Sequence, residues 1–435
     1  MLYESWRQIC DHSRDDLALS DVASGRCWTF GQLARLAERG DPPPGGLAFP
    51  SGDSAEFVLE VLRAWRWRGA VCPLDQNQAR PAVGDLPGGV AHVKITSAST
   101  GPARLVAFTA AQLMADAANI VATMGLRREW PNLGVISLAH SYGFSNLVLP
   151  LLLHGIPLIL AGSALPESVR RAARRCKAAT IAGVPALWRT WLEGSAIPGH
   201  VRLAISAGAP LALDLEREVF DRHGLKIHNF YGSSECGGIA YDGSENPRVD
   251  AACAGEPVRN VNVTIADDGC VEVRGAAVGQ TYWPESSLNL REGVFRTTDL
   301  GEIKDGLLYL RGRATDQINV AGRKVLPEAI EAVLSSHPDV HACLAFGVPG
   351  ADPQRGETIV ACISGQAEAT PEKLKQYALA RLPAWQVPRE WWLVETLGTN
   401  SRGKLSRAEW RQRYLARPEL MRAKQRGPGR FHGSK

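Results

Sequence analysis

At 435 residues the chain is longer than one hydrophobic core usually serves, so two or more domains are expected. An apolar content of 45% with 22% charged residues excludes disorder along the whole length. A formal net charge of +4 gives no basis for nucleic acid as the main partner, and nine cysteines without a CxxC pair argue against zinc or a disulfide framework, leaving reduced thiols in a cytoplasmic protein.

The opening residues, MLYESWRQICDHSRDD, lack a basic stretch followed by an apolar run, so no signal peptide is read there. Ser54–Trp67 has helical periodicity and Ala70–Leu74 reads as a short strand. Asp41–Gly46 and Pro81–Gly89 read as tight surface connections. Ile95–Arg104 is ITSASTGPAR, a loop after a strand. It holds the hydroxyls of Thr96, Ser97, Ser99 and Thr100, the small residues Ala98 and Gly101, and the cation Arg104. Backbone N–H groups, hydroxyls and one cation are what a polyphosphate needs, although Ser/Thr/Gly loops also serve as plain turns. Val135–Leu138 is strand-like. Leu147–Leu160 is the most apolar run, but Pro150, His154, Gly155 and Pro157 interrupt it and it is too short to span a bilayer. It reads as buried core, and no transmembrane segment is expected.

Thr180–Ala182 begins a strand, Pro185 opens a helix over Ala186–Leu192, and Val201–Ser206 is a strand. That strand ends in SAGAP, where Gly208, Ala209 and Pro210 suit either a shelf for a flat base or a tight turn. Asn229–Gly238 is NFYGSSECGG at another strand end. Glu235 beside phosphate-binding hydroxyls suits Mg2+, and equally suits a surface turn. Alternation of this kind argues for parallel, doubly wound sheets that bind ligands at the carboxyl ends of their strands. From Val258 the pattern shortens to Asn262–Ala266, Cys270–Arg274, Val294–Thr297 and Leu307–Leu310, a small antiparallel barrel or sheet. Asp299 and Arg313 suit ribose hydroxyls. Beyond Arg313–Thr315 a compact α+β unit follows: helices at Pro327–Ser336 and Pro371–Leu382, the second capped by Thr370, and strands at His341–Val348 and Thr358–Ile363. The domains are therefore drawn at 1–313 and 314–412, with a basic tail at 413–435. Leu397–Arg407 is LGTNSRGKLSR; Gly398–Lys404 matches GxxxxGK, but Leu405 replaces the Ser/Thr that a P-loop requires.

In this order and spacing the segments resemble the adenylate-forming superfamily of acyl-CoA synthetases, aryl-CoA ligases, luciferases and peptide-synthetase adenylation domains. The resemblance extends to Arg407 and includes WTFGQLARL, GAVCPLD and His140–Gly155. It implies an α/β fold with a large N-terminal domain of two doubly wound sheets plus a small β-barrel, and a smaller mobile C-terminal α+β lid. It implies ATP-dependent activation of an aryl or fatty acid to acyl-AMP with pyrophosphate release. Transfer follows to the thiol of CoA or of a carrier protein's phosphopantetheine.

The implied roles fall residue by residue. Thr96–Arg104 would hold phosphates. Ser206–Pro210, with Gly208, Ala209 and Pro210, and Asn229–Tyr231 would hold adenine, with Tyr231 stacking, and Gly232 would also touch the nucleotide. Ser234 would touch the α-phosphate, Glu235 would bind Mg2+, and Asp299 and Arg313 would bind ribose. Lys404 would bridge carboxylate and α-phosphate. The lid would then rotate about a hinge after Arg313 and withdraw Lys404.

The sequence departs from the family pattern at Ala98, Ala103-Arg104, Thr298, Thr315, Asn319, Ala329 and Gly398, and is trimmed between Leu74 and Ile95. The hinge and lid changes bear on the second step. The acid segment, AHSYGFSN, has no carboxylate for an α-amine, so an α-amino acid is not expected. Tyr142, Phe144, Ile239 and Gly237-Gly238 suggest an aryl or apolar acyl group. His140 suits orienting its carboxylate, or a satisfied core position. Cys236 reads as a small wall residue. The trimming and basic tail lean toward an acidic carrier protein as acceptor. The alternative is a degenerate member that binds nucleotide or acyl group without turnover.

Overall fold

The computed structural model describes residues 1–96, 104–350, 356–398 and 405–417. Two compact units emerge: Met1–Thr297 with Gly301–Leu310, and Thr298–Leu300 with everything from Arg311 onward. The division lies just before Arg313, and the short piece around Asp299 groups with the second unit.

In the first unit, parallel strands run side by side in the order Ile227–Ser233, Val201–Ser206, Ala179–Gly183, Asn132–Gly134, Leu158–Leu160 and Leu17–Asp21. Every residue of Ala179–Gly183 and Leu158–Leu160 is buried, as strands covered on both faces require. On its other edge Ile227–Ser233 pairs antiparallel with Gly237–Tyr241. Pairing then continues through Cys253–Pro257 into the short β-rich pieces, so the barrel-like strands and the parallel strands form one 14-stranded sheet. A second sheet of five strands orders Thr281–Trp283, Leu105–Thr109, Val90–Ile95, Ala70–Val71 and Leu47–Ala48.

Local sequence explains most boundaries. Ser54 precedes the helix Ala55–Arg66. Thr109 closes a capping box with Gln112, turning the chain out of its strand into the helix Ala110–Met124. The strand expected at Val135–Leu138 instead occupies Asn132–Gly134. Val135 and Leu138 are buried all the same; burial without pairing leaves the same apolar signature as a strand. The run Leu147–Leu160 splits at Gly155 (φ 67°) into the helix Leu149–His154 and the strand Leu158–Leu160. Among the described residues no helix is long and apolar enough to cross a membrane. Trp6, Phe30, Phe57, Phe108 and Phe144 anchor the main core, and Trp188 and Trp191 a second one under the parallel sheet.

The second unit pairs Val340–Pro349 antiparallel with Glu357–Gly365, which lies parallel to Glu390–Leu393. The helices Pro327–Ser335 and Pro371–Leu379 pack on one core, and the Thr370 hydroxyl accepts from Lys373 N (3.4 Å), the expected cap. Trp410 and Tyr414 of Arg407–Leu415 pack with Phe346 and Val360.

Candidate active site

Val90–Ile95 and Leu105–Thr109 are antiparallel neighbours, with Ile95 opposite Leu105 at the end of the ladder. The phosphate segment is therefore the connection of a β-hairpin. Thr96 N donates to Arg104 O (2.8 Å) and Arg104 N donates to Thr96 Oγ1 (3.1 Å), closing its mouth. Ser97, Ser99, Thr100 and Gly101 lie outside the described residues.

The Arg104 guanidinium sits 5.3 Å above the Tyr282 ring. Tyr282 Oη donates to Glu235 Oε1 (3.0 Å), and Ser233 Oγ donates to the other carboxylate oxygen. The same Ser233 Oγ accepts from Glu235 N (3.1 Å). Arg104 and Glu235 thus share one corner, joined by a tyrosine that no motif singles out. The link arises because Thr281–Trp283 pairs with Leu105–Ala107, placing Tyr282 opposite Val106. Burial and the Glu235 charge push the Tyr282 phenol well above its ordinary range, so it stays a donor. Mg2+ is commonly held by one or two carboxylates plus substrate phosphates. Glu235 offers one, and among the described residues no cluster of three His, Cys, Asp or Glu forms a preformed metal centre. The donor set fits an ion that arrives with a triphosphate.

Ser206, the last residue of its strand, lies abreast of Asn229 on the adjacent parallel strand. The two segments assigned to a base are therefore neighbours. Gly208 has φ +84°, which a side chain would strain. A Cβ on Gly232 would lie 2.7 Å from Gly237 O, so only glycine lets the two strands approach there. Tyr231 and Ser234 are half-buried and Pro210 is exposed. Beneath this shelf lies a buried ion network. Lys226 bonds Glu216 and Asp242 Oδ2 (2.6 Å for the latter). Arg248 Nε donates to Glu216 Oε2 (2.9 Å), and its terminal nitrogens donate to the carbonyls of Leu211 and Cys253 (2.8 Å each). Asn229 Nδ2 donates to that same Cys253 carbonyl (3.3 Å).

The acid segment centres on Asp75, whose Oδ1 accepts from Ser137 Oγ (2.8 Å) and whose Oδ2 lies 3.1 Å from His140 Nε2. Leu138 N donates to Asp53 Oδ1 (2.7 Å), and burial with the nearby Asp75 holds the Asp53 carboxyl above the usual range. The His140 side chain is 41% exposed and held by a carboxylate, which separates it from a satisfied core histidine. A Cβ on Gly143 would fall 1.9 Å from Ser137 O, so glycine is required where the chain enters the π-helical turn Phe144–Val148. Phe144 and Ile239 are core residues rather than exposed lining. Tyr142 Oη donates to the Gly183 and Ile205 carbonyls (3.4 Å each). Cys236 is fully buried and its thiol is pushed well up by burial, unsuited to nucleophilic work.

In the second unit Arg313 Nε donates to Asp299 Oδ1 (2.8 Å), bringing together the two residues read as ribose partners. Lys404 lies outside the described residues. Its neighbour Arg407 is locked. Nε donates to Ala345 O (2.9 Å), one terminal nitrogen meets Glu331 Oε1 (2.9 Å) and Glu328 Oε1 (3.0 Å), and the other meets Asp316. Burial lifts the Glu331 carboxyl above its ordinary range, against the pull of Arg407.

The model of the AMP-binding enzyme family matches residues 53–283, and that of the AMP-binding enzyme C-terminal domain matches 329–404. The chain is 30% identical over 344 residues to the "Probable 2-succinylbenzoate–CoA ligase" of Mycobacterium tuberculosis, covering 75% of this chain and 85% of that one. It is 28% identical to the 2-succinylbenzoate–CoA ligase of Bacillus licheniformis over 76% of this chain and 73% of the other. The fold matches ATP-bound MatB from Rhodopseudomonas palustris with a TM-score of 0.81 at 21% identity, over 96% of this chain and 99% of the other. It matches the AMP complex of Bacillus subtilis O-succinylbenzoate coenzyme A synthetase with a TM-score of 0.80 at 20% identity, over 93% and 97%.

Proposed function

The chain belongs to the family of AMP-binding enzymes, and from that premise we propose that it is an acid–thiol ligase acting in two steps. In the first, a carboxylate oxygen attacks the α-phosphorus of ATP, and the bond to the bridging oxygen breaks with release of pyrophosphate. In the second, a thiol sulfur attacks the acyl carbon, losing its proton, and AMP departs. The observation that carries this reading is the corner where Arg104, Tyr282 and Glu235 meet at the mouth of the hairpin.

There Arg104 and the Thr96 segment would hold the phosphates. Glu235, oriented by Tyr282 and Ser233, would take the Mg2+, which supplies charge neutralisation for the triphosphate. The shelf at Gly208–Pro210 with Asn229 and Tyr231 would take adenine, and Asp299 with Arg313 the ribose. His140, steadied by Asp75, would orient the substrate carboxylate, and Lys404 would offset charge on the α-phosphate as the carboxylate attacks. Curated relatives that are succinylbenzoate–CoA ligases support an aromatic acid as substrate and CoA as acceptor. They support CoA over the carrier protein toward which the trimmed sequence leans. The nine cysteines, none of them in a disulfide, suit a reducing cytoplasm.

The test is pyrophosphate release against a panel of aryl and aliphatic acids, followed by mass spectrometry with CoA and with a phosphopantetheinylated carrier. Acid-dependent release and a thioester on CoA are expected. Folded protein that releases no pyrophosphate with any acid would sink the ligase reading.

A further inference from the structure

Past the register irregularity between Val90 and His92, the strand Val90–Ile95 turns His92 and Lys94 to one layer, in line with Thr96 at the mouth of the hairpin. That layer is otherwise apolar, built from Val106, Phe108 and Phe144. Lys94 is 4% exposed, with its ammonium 4.4 Å above the Phe108 ring. Nζ donates to Ser145 Oγ (3.5 Å) and stands 3.9 Å from Asp116 Oδ2. Ser145 Oγ in turn donates to that Asp116 oxygen (2.6 Å). Asp116 is 2% exposed and belongs to the helix that leaves the hairpin, Ala110–Met124. Its other oxygen lies 2.0 Å from where a Cβ on Gly237 would stand. The carboxylate therefore fills the side-chain space of the residue that ends the turn carrying Glu235.

A buried ion pair of this kind is costly beside well-packed apolar residues of similar volume, so it is a poor device for stability alone. None of its members belongs to the machinery proposed above. It does span the two pieces that the chemistry must hold in register: the strand that enters the phosphate hairpin, and the turn Ser233–Gly237. We infer that Lys94, Ser145 and Asp116 form an internal strut that positions the Glu235 turn against the phosphate hairpin, with Lys94 and Asp116 as positioning residues for the nucleotide step. The inference rests on the adenylation reading and adds residues to it. A rigid support beneath a ligand-bearing group acts by removing alternative orientations of that group, which is worth most when the group must meet a highly charged ligand.

The experiment compares the full chain with Lys94→Met, Asp116→Asn, Ser145→Ala and the double variant Lys94→Met/Asp116→Asn. Acid-dependent ATP–pyrophosphate exchange, the KM for MgATP, the KM for the acid and the melting temperature are measured for each. The single charge variants should raise the KM for MgATP or lower the exchange rate by about tenfold or more, on the scale of losing support behind a ligand-bearing group. The KM for the acid should stay within about twofold. The double variant should recover part of the loss, because it leaves no unpaired buried charge. Exchange kinetics within about twofold of wild type in all folded variants would overturn the strut, as would losses that move the acid KM and MgATP KM together in proportion to melting temperature. Ser145→Ala removes only the central hydroxyl and keeps the comparison readable if a charge variant fails to fold. If the wild type itself shows no acid-dependent exchange, the ligase reading falls. MgATP affinity by calorimetry then decides the strut, and equal affinity in wild type and Ser145→Ala overturns it.

Discussion

At the scale of single residues, Tyr282 is the side chain whose importance only the fold reveals. It has no motif around it, and it reaches Glu235 because a strand far along the chain pairs with the hairpin. Tyr282→Phe keeps the ring under Arg104 but removes one donor to a carboxylate. Hydrogen bonds to charged groups contribute about 1.5–3 kcal/mol, so the KM for MgATP should rise about tenfold and the melting temperature should fall by several degrees. His92 makes a different prediction. It is buried against Phe144 (4.3 Å between rings) with Nδ1 unpartnered, and burial with the Lys94 charge holds its pKa well below 6.5. His154 and His228 are also lowered by burial. The unfolded chain therefore binds more protons than the folded one below pH 6.5. The stability these groups leave intact is fully present above that pH and is lost as pH falls toward the folded-state values, by at most about 1.4 kcal/mol per pH unit for each group. His92→Phe should flatten the fall between pH 6.5 and pH 5 in urea titrations while leaving pH 8 stability nearly unchanged. An unaltered slope would contradict this.

At the scale of elements, what was legible followed from periodicity and caps. Val201–Ser206 and Cys270–Arg274 occur where alternation placed them, and Thr370 caps its helix. The base and metal segments lie on neighbouring strands of the 14-stranded sheet, and the phosphate segment, carried by the five-stranded sheet, meets the metal turn through Tyr282. What was illegible is polar and long-range. Lys94, Asp116, Glu216 and Arg248 are ordinary charged residues in the sequence, and only pairing between distant elements explains their burial. In the acid segment and beside it, the apolar Phe144 and Ile239 are buried in the core. The buried networks should be costly to break. Lys226→Met leaves Glu216 and Asp242 short of a cation, and Arg407→Met leaves Glu331, Glu328 and Asp316 facing one another. Each should cost about 3–5 kcal/mol. Arg407→Met should also depress adenylation, because the residue fastens the chain just after Lys404.

At the scale of the molecule, two compact units imply two melting transitions in calorimetry. Lys226→Met should lower only the one belonging to the first unit, and Arg407→Met only the other; a single transition displaced by both would refute independent units. The strand Ile227–Ser233 stands apart from its neighbours. It is hydrogen-bonded parallel to Val201–Ser206 on one edge and antiparallel to Gly237–Tyr241 on the other, and the Glu235 turn joins it to the latter. In deuterium exchange this arrangement becomes a pattern in time. The strand amides flanking the turn should be among the slowest in the chain, because releasing them requires opening the sheet at its centre, whereas the amides of Ser234 and Cys236 should exchange early. Nucleotide with Mg2+ should slow the turn and leave its flanks where they were, so the turn reports occupancy of the site without any chemistry taking place.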